Sequence, residues 1–138
     1  MTFLRNLEKS QDNSNLDILN KTKGTLPNVP FDDMKNAVLG KKYELSLVFI
    51  GSKRSRKLNR ELRGKDKAAN ILSFPFDEKS GEIFIDLNHA YKQAPQFERE
   101  KTNFIGFLFI HGLLHLKGFD HGDTMESKEK KIRNTFHI

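Results

Sequence analysis

His111-Gly112-Leu113-Leu114-His115-Leu116-Lys117-Gly118-Phe119-Asp120-His121 holds three of the chain's five histidines. The first two are four residues apart, so on a helix both rings leave the same face, one turn above the other. Gly118 stands where a helix C-terminus wants a residue free to adopt positive φ. The chain then turns and can bring His121 back to the same point. Three imidazoles from a helix and its following turn suit a tetrahedral metal site with one coordination position left open.

Just upstream, Phe104-Ile105-Gly106-Phe107-Leu108-Phe109-Ile110 is apolar on nearly every side and reads as a helix buried in a core. It is shorter than the ~20 residues a membrane span needs. A lone histidine on such a helix is ordinarily a core residue satisfied by one hydrogen bond. Three at this spacing, with glycine at the turn, point to a metal. The spacing also matches the metzincin pattern H-E-x-x-H-x-x-G-x-x-H, except that Gly112 replaces the glutamate. That glutamate is the general base of the zinc proteases. Its absence points to the same metal scaffold serving other chemistry, with a peptidase as the weaker alternative.

The 138 residues fit one domain, 1–138, with a real core. Hydrophobic residues at 36% and charged residues at 30% describe a globular, soluble chain. With 12 Phe and no Trp, phenylalanine is expected to carry much of the core. No cysteine is present, which excludes disulfides and thiolate zinc ligands and fits a reducing cytoplasm. The first residues show no apolar stretch of a secretion signal, and no membrane segment is expected. The net charge of +6 favours anionic partners, nucleic acid ahead of a membrane surface.

Along the chain, Thr2–Leu7 is a possible strand, Gln11–Asn15 a loop and Leu16–Lys23 a turn or two of helix. Pro30 opens a helix over Phe31–Leu39 that Gly40 closes. Tyr43–Ile50 alternates and reads as a strand. Ser52–Arg63 reads as a helix with Ser52 as N-cap and Leu58 and Leu62 on its apolar side. Lys53, Arg56, Arg60 and Arg63 fall together opposite. Between Lys53 and Lys67 stand eight basic and two acidic residues, so the positive excess is local. An ordinary solvated helix face is the plain alternative. Asn70–Phe76 is a strand that Pro75 ends or places at an edge, and it forms a hairpin with Glu82–Ile85. Asp86 caps a short helix, and Pro95 separates it from a long one, about Phe97 to Lys117. Asp123 or Thr124 caps a last helix through Phe136, with Met125 and Ile132 inward and Lys128, Lys130, Lys131 and Arg133 in solvent.

The histidine stretch closely resembles the H-G-x-L-H-L-x-G-y-D-H signature of the bacterial YbeY family. Leu58-Asn59 followed by Leu62-Arg63-Gly64-Lys65-Asp66 is similar to that family's L-N-x-x-y-R-G-k-D segment. Ile71-Leu72-Ser73-Phe74-Pro75 resembles its V-L-S-F-P strand, and Gly81-Glu82-Ile83-Phe84-Ile85 its G-D-I-x-I strand. Met125-Glu126 and Glu129 resemble its closing helix. The similarity covers about Glu44 to Glu129. It departs at Ala68-Ala69-Asn70, where the family has Pro-Thr-Asp, so a carboxylate becomes an amide.

The resemblance implies a metal-dependent, single-strand-specific endoribonuclease of ribosomal RNA maturation (small-subunit 3′ end processing) and ribosome quality control. It implies the ribosome or its proteins as partners and a cytoplasmic location. His111, His115 and His121 are expected to bind one Zn²⁺ per chain, with nickel or iron also fitting the ligands. Arg63 is expected to hold the phosphate by its planar fork, near the metal as the family's matching arginine is. Arg56, Arg60, Lys65 and Lys67 are expected to make general RNA backbone contacts. The base is left open between the metal's own hydroxide, Asp120 and a substrate 2′-OH. Asp120, Asp123 and Glu126 are candidate acceptors for imidazole N–H groups. The other alternative is a non-catalytic module in which zinc is structural, which would need a fourth ligand from His89, Asp120 or Asp123. The fold class expected is α/β (α+β): a small mixed sheet of about four strands and about five helices. The metal site is expected at the end of a buried central helix, in a cleft beside the basic one.

Overall fold

The structure, a computed structural model, describes residues 15–138, so the strand expected over Thr2–Leu7 and most of the loop expected over Gln11–Asn15 lie outside it. The alternating run after Tyr43 forms strand β2 (Glu44–Ile50). β2 pairs in parallel with β1 (Leu16–Asn20) on one side and with β4 (Ser80–Asp86) on the other. β3 (Ile71–Asp77) runs antiparallel to β4, giving the order β1-β2-β4-β3. The expected hairpin is present, and β3 is an edge. An edge tolerates Pro75, which has no N–H to donate, and the register breaks between Pro75 and Asp77.

β1 corrects the helix expected over Leu16–Lys23. Leu-Asp-Ile-Leu is too short for periodicity to separate the two conformations. Pairing decides: Leu16 and Ile18 lie opposite Leu45 and Leu47 and join the same core.

Five α-helices stand among the described residues: α1 (Phe31–Leu39), α2 (Ser52–Arg63), α3 (Leu87–Gln93), α4 (Lys101–Lys117) and α5 (Asp123–Phe136). The architecture is thus the expected mixed four-stranded sheet with five helices. Pro30 and Gly40 bracket α1 as expected, and the Asp86 carboxylate caps α3 by accepting from the His89 N–H at 3.0 Å.

α4 is the central helix, about 25 Å long at ~1.5 Å per residue. Phe104, Ile105, Phe109, Ile110 and Leu113 are wholly buried. The Phe109 ring meets Phe31 edge-on at 5.0 Å, so phenylalanine does carry much of the core. Where α4 crosses the sheet, a Cβ on Gly112 would fall 2.7 Å from Ile71 Cδ1 and 2.9 Å from Ser73 Oγ. Glycine there lets the helix approach the strands.

Five local expectations need correction. α4 starts at Lys101, not Phe97, because Pro95 belongs to a 3-10 turn (Ala94–Phe97) closed by Glu98 at φ 54°. Ser52 is the first residue of α2, not its cap, and neither Asp123 nor Thr124 caps α5; Gly51 and Gly122 occupy those positions without side-chain capping. Leu62 is 57% exposed, and α2 instead buries Ser55 and Asn59, whose Oγ and Nδ2 bond to backbone atoms of the following loop. Arg133 is half-buried rather than in solvent, its guanidinium 5.6 Å from the Phe107 ring; Met125 and Ile132 do face the core.

Candidate metal centre and nucleic-acid interface

His111 and His115 leave adjacent turns of α4, their Nε2 atoms 3.0 Å apart. Gly118 ends the helix at φ 106°, its N–H bonded to the His115 carbonyl, while the Phe119 N–H returns to Leu114 O. This turn reverses the chain and sets the His121 ring 5.1 Å from His111 and 4.8 Å from His115, centroid to centroid. One nitrogen from each ring lies within 4.8 Å of the others. The three expected ligands therefore meet.

The outer nitrogens are anchored. The Phe119 carbonyl can only accept, so the His115 Nδ1 at 3.1 Å donates to it and Nε2 is the bare nitrogen of the neutral ring. His111 Nδ1 meets Glu129 Oε1 of α5 at 2.5 Å. Both rings thus turn Nε2 inward. Burial, and after it the neighbouring His111, lowers the His115 pKa below its ordinary value and favours the neutral ring a metal needs. The donor set fits a first-row divalent metal: nitrogens ~2.0–2.1 Å from one tetrahedral zinc would lie ~3.3 Å apart, near the observed His111–His115 spacing.

Asp120, Asp123 and Glu126 are the acceptors expected for these rings. Glu129, one turn beyond Glu126, is the carboxylate that forms the hydrogen bond. Its signals in the sequence are its place in the segment that resembles the family's closing helix and its spacing of three from Glu126 on the same helix face. Asp120 is exposed, yet near enough for its charge to act on His115. Among the described residues, His89, Asp120 and Asp123 stay outside the group that could hold an ion. His111 and His121 open onto a groove of about 340 Å³ whose walls include Asn70, Phe97, Phe107 and Glu126.

Arg56, Arg60, Arg63, Lys65 and Lys67 do not line this groove; their segment joins its wall along the chain, at Asn70. Gly64 adopts φ 71° and closes α2 with its N–H on Arg60 O. Beneath the loop, Ser55 Oγ donates to Ala69 O at 2.7 Å and accepts from the Ala69 N–H at 2.9 Å. Asn59 Nδ2 donates to Lys67 O at 2.9 Å. The loop so held leads straight into Asn70 on the groove wall. Lys67 is three residues away, at most ~11 Å along the chain.

Arg63 is the last residue of α2 and is exposed, as are Lys65 and Lys67. Arg56 makes a two-pronged ion pair with Asp66 at 2.9 and 3.1 Å, and Arg60 lies 3.5 Å from the same carboxylate. The Arg56 hydrogen bond is the main reason the Asp66 pKa is lowered. Arg56 and Arg60 also line a separate groove of about 810 Å³ on α2, with Lys53, Arg54, Lys57 and Lys21. Lys21 was invisible to sequence reasoning because it arrives from the end of β1, 32 residues before Lys53.

The family model described as Endoribonuclease YbeY matches residues 7–137. The chain belongs to the YbeY family. Curated relatives named Endoribonuclease YbeY include one from Alkaliphilus metalliredigens, 37% identical over 66% of this chain and 66% of that protein. Another, from Clostridioides difficile, is 34% identical over 70% of this chain and 73% of that protein. A third, from Mycoplasma mycoides, is 32% identical over 62% of this chain, and the match spans 58% of its length. The chain thus spans about two thirds or less of the length of two of these relatives. The solution structure of TM1509 from Thermotoga maritima shares the fold, with a TM-score of 0.64 at 23% identity over 88% of this chain and 91% of that one. Among the described residues no helix is long and apolar enough to cross a membrane.

Proposed function

We propose that this protein is a zinc-dependent endoribonuclease acting on single-stranded regions of ribosomal RNA. The observation that carries the reading is the inward convergence of three imidazoles, two of them fixed by a partner on Nδ1. The relatives' shared name supplies the reaction class. His111, His115 and His121 hold the metal, which when bound supplies Lewis acidity toward a phosphoryl oxygen and lowers the pKa of a water.

The chain's own residues do the rest. Glu129 and the Phe119 carbonyl orient the rings and keep their tautomers. Asp120, exposed and acting by its charge on His115, is one of three candidates to take the proton, with the metal's own hydroxide and a substrate 2′-OH. Arg63 holds the phosphate, where negative charge grows as the bond breaks. Lys65 and Lys67 draw the strand in, and Arg56 and Arg60 extend the basic surface along α2. Small-subunit rRNA 3′ end processing and ribosome quality control in the cytoplasm, with the ribosome as partner, complete the reading.

Two rivals are less well supported. A peptidase would need a base at position 112, and that position faces the sheet. A structural zinc would need a fourth protein ligand.

The test is cleavage of single-stranded RNA by metal-loaded protein, parent against Arg63→Ala. The variant should keep its metal and fold and lose cleavage by about 100-fold or more, the scale of removing one transition-state donor. Cleavage at the parent rate would remove Arg63 from the mechanism.

A further inference from the structure

The groove beside His111 and His121 has no lysine or arginine on its walls, and Glu126 and Glu129 contribute carboxylates to it. Away from the histidines, such walls offer a phosphate no cationic side chain to pair with. Arg99 and Arg133 lie against the Phe107 ring, at 4.4 and 5.6 Å, and the other cations stand across Asn70, on the loop after α2 and on α2 itself. The part of a nucleotide that suits this groove is its uncharged, flat part.

The groove also offers a flat surface. Phe97 is 49% exposed. One face of its ring stacks on buried Phe104, at 4.9 Å between centroids and 27° between planes. Phe107 stands 6.2 Å away, with the Arg99 guanidinium over it at 4.4 Å. Phe97 is thus backed by the core and open toward solvent. A singly exposed apolar residue ordinarily needs no explanation; this one shares a groove with two of three converging histidines. Asn70 Nδ2, also on the groove, donates to Gln93 Oε1 at 2.8 Å, which leaves the side-chain Oδ1 of Asn70 as an acceptor for a base edge.

From this we infer that the groove is a nucleobase subsite: one unstacked base of the RNA strand lies on the open face of Phe97. The adjoining phosphate then meets the histidines, and the backbone continues toward Lys67. The inference rests on the endoribonuclease reading and adds a physical source of single-strand preference. A base paired and stacked in a duplex cannot reach Phe97, whereas a splayed base stacks on an aromatic ring.

The test is binding of a short single-stranded oligoribonucleotide carrying one 2-aminopurine, read by fluorescence in the first seconds after mixing with metal-loaded protein. Four proteins are compared: parent, Phe97→Ala, Phe97→Leu and Phe97→Tyr. Leucine keeps apolar cover on Phe104 but has no ring, so it separates stacking from support of the fold. The parent should quench the probe. Phe97→Ala and Phe97→Leu should bind roughly 10-fold more weakly, the scale of one lost base–aromatic stack, and Phe97→Tyr should restore binding. An oligoribonucleotide abasic at the probe position should bind parent and Phe97→Leu alike. Equal affinity and equal quenching in parent and Phe97→Leu would overturn the subsite, whatever the cleavage rate. Binding and quenching by a parent that cleaves no RNA would support the subsite and overturn the nuclease reading instead.

Discussion

Glu129 Oε1 lies 2.5 Å from His111 Nδ1, although 18 residues separate the two in the chain. The contact ties α5 to α4 at the point where the imidazoles meet. A carboxylate on the outer nitrogen fixes the ring and raises its basicity, and losing such a partner typically costs 10–100-fold in metal affinity. Glu129→Ala should show that loss in a competition titration against a chromophoric chelator, with unchanged far-UV circular dichroism. Parent-like affinity would mean that the contact does not support the site.

Gly112 explains why the protease-like spacing comes without the protease base. A side chain at 112 would enter the sheet between Ile71, Ser73 and Ile83 rather than the groove. Gly112→Glu should therefore destabilise the fold by several kcal/mol through overpacking and a buried carboxylate, and should create no peptidase. Thermal unfolding measures this, and an unchanged melting temperature would refute the packing argument.

The histidine spacing, the glycine turn and the apolar run before it made the metal centre readable from the chain alone, since all of it lies on one helix and one turn. Glu129 was not read as a partner because helix-to-helix proximity is set by packing. The same holds for β1, whose strand conformation comes from β2, and for the buried face of α2. Leu58 and Leu62 look like that face by hydropathy, but Ser55 and Asn59 take it because the loop after α2 offers them backbone atoms. Pattern reading ranks side chains by hydrophobicity and misses polar groups buried for their hydrogen bonds.

Ser55→Ala tests that last relationship. It would leave the half-buried Ala69 N–H and carbonyl without the hydroxyl they share, at a cost of about 1 kcal/mol. Urea denaturation should show the loss. If stability stays at the parent value, the loop is held by other contacts.

The ion pairs of the basic surface make a graded prediction. Lys65 and Lys67 are exposed without a side-chain partner among the described residues, whereas Arg56 already pairs with Asp66. Plotted as log affinity for single-stranded RNA against log salt, Lys65→Ala and Lys67→Ala should each lower the slope by about 0.7. Arg56→Ala should lower it less, because its loss also frees a carboxylate that repels phosphate. Equal slopes for all four proteins would take these residues off the RNA path.

The central claim is that three imidazoles hold one catalytic cation, and elemental analysis of protein purified without chelator tests it most directly. The account predicts about one transition metal per chain, zinc foremost, and its loss in His115→Ala with the fold retained. A parent protein without bound transition metal, or a His115→Ala variant that binds it as tightly as the parent, would contradict the account.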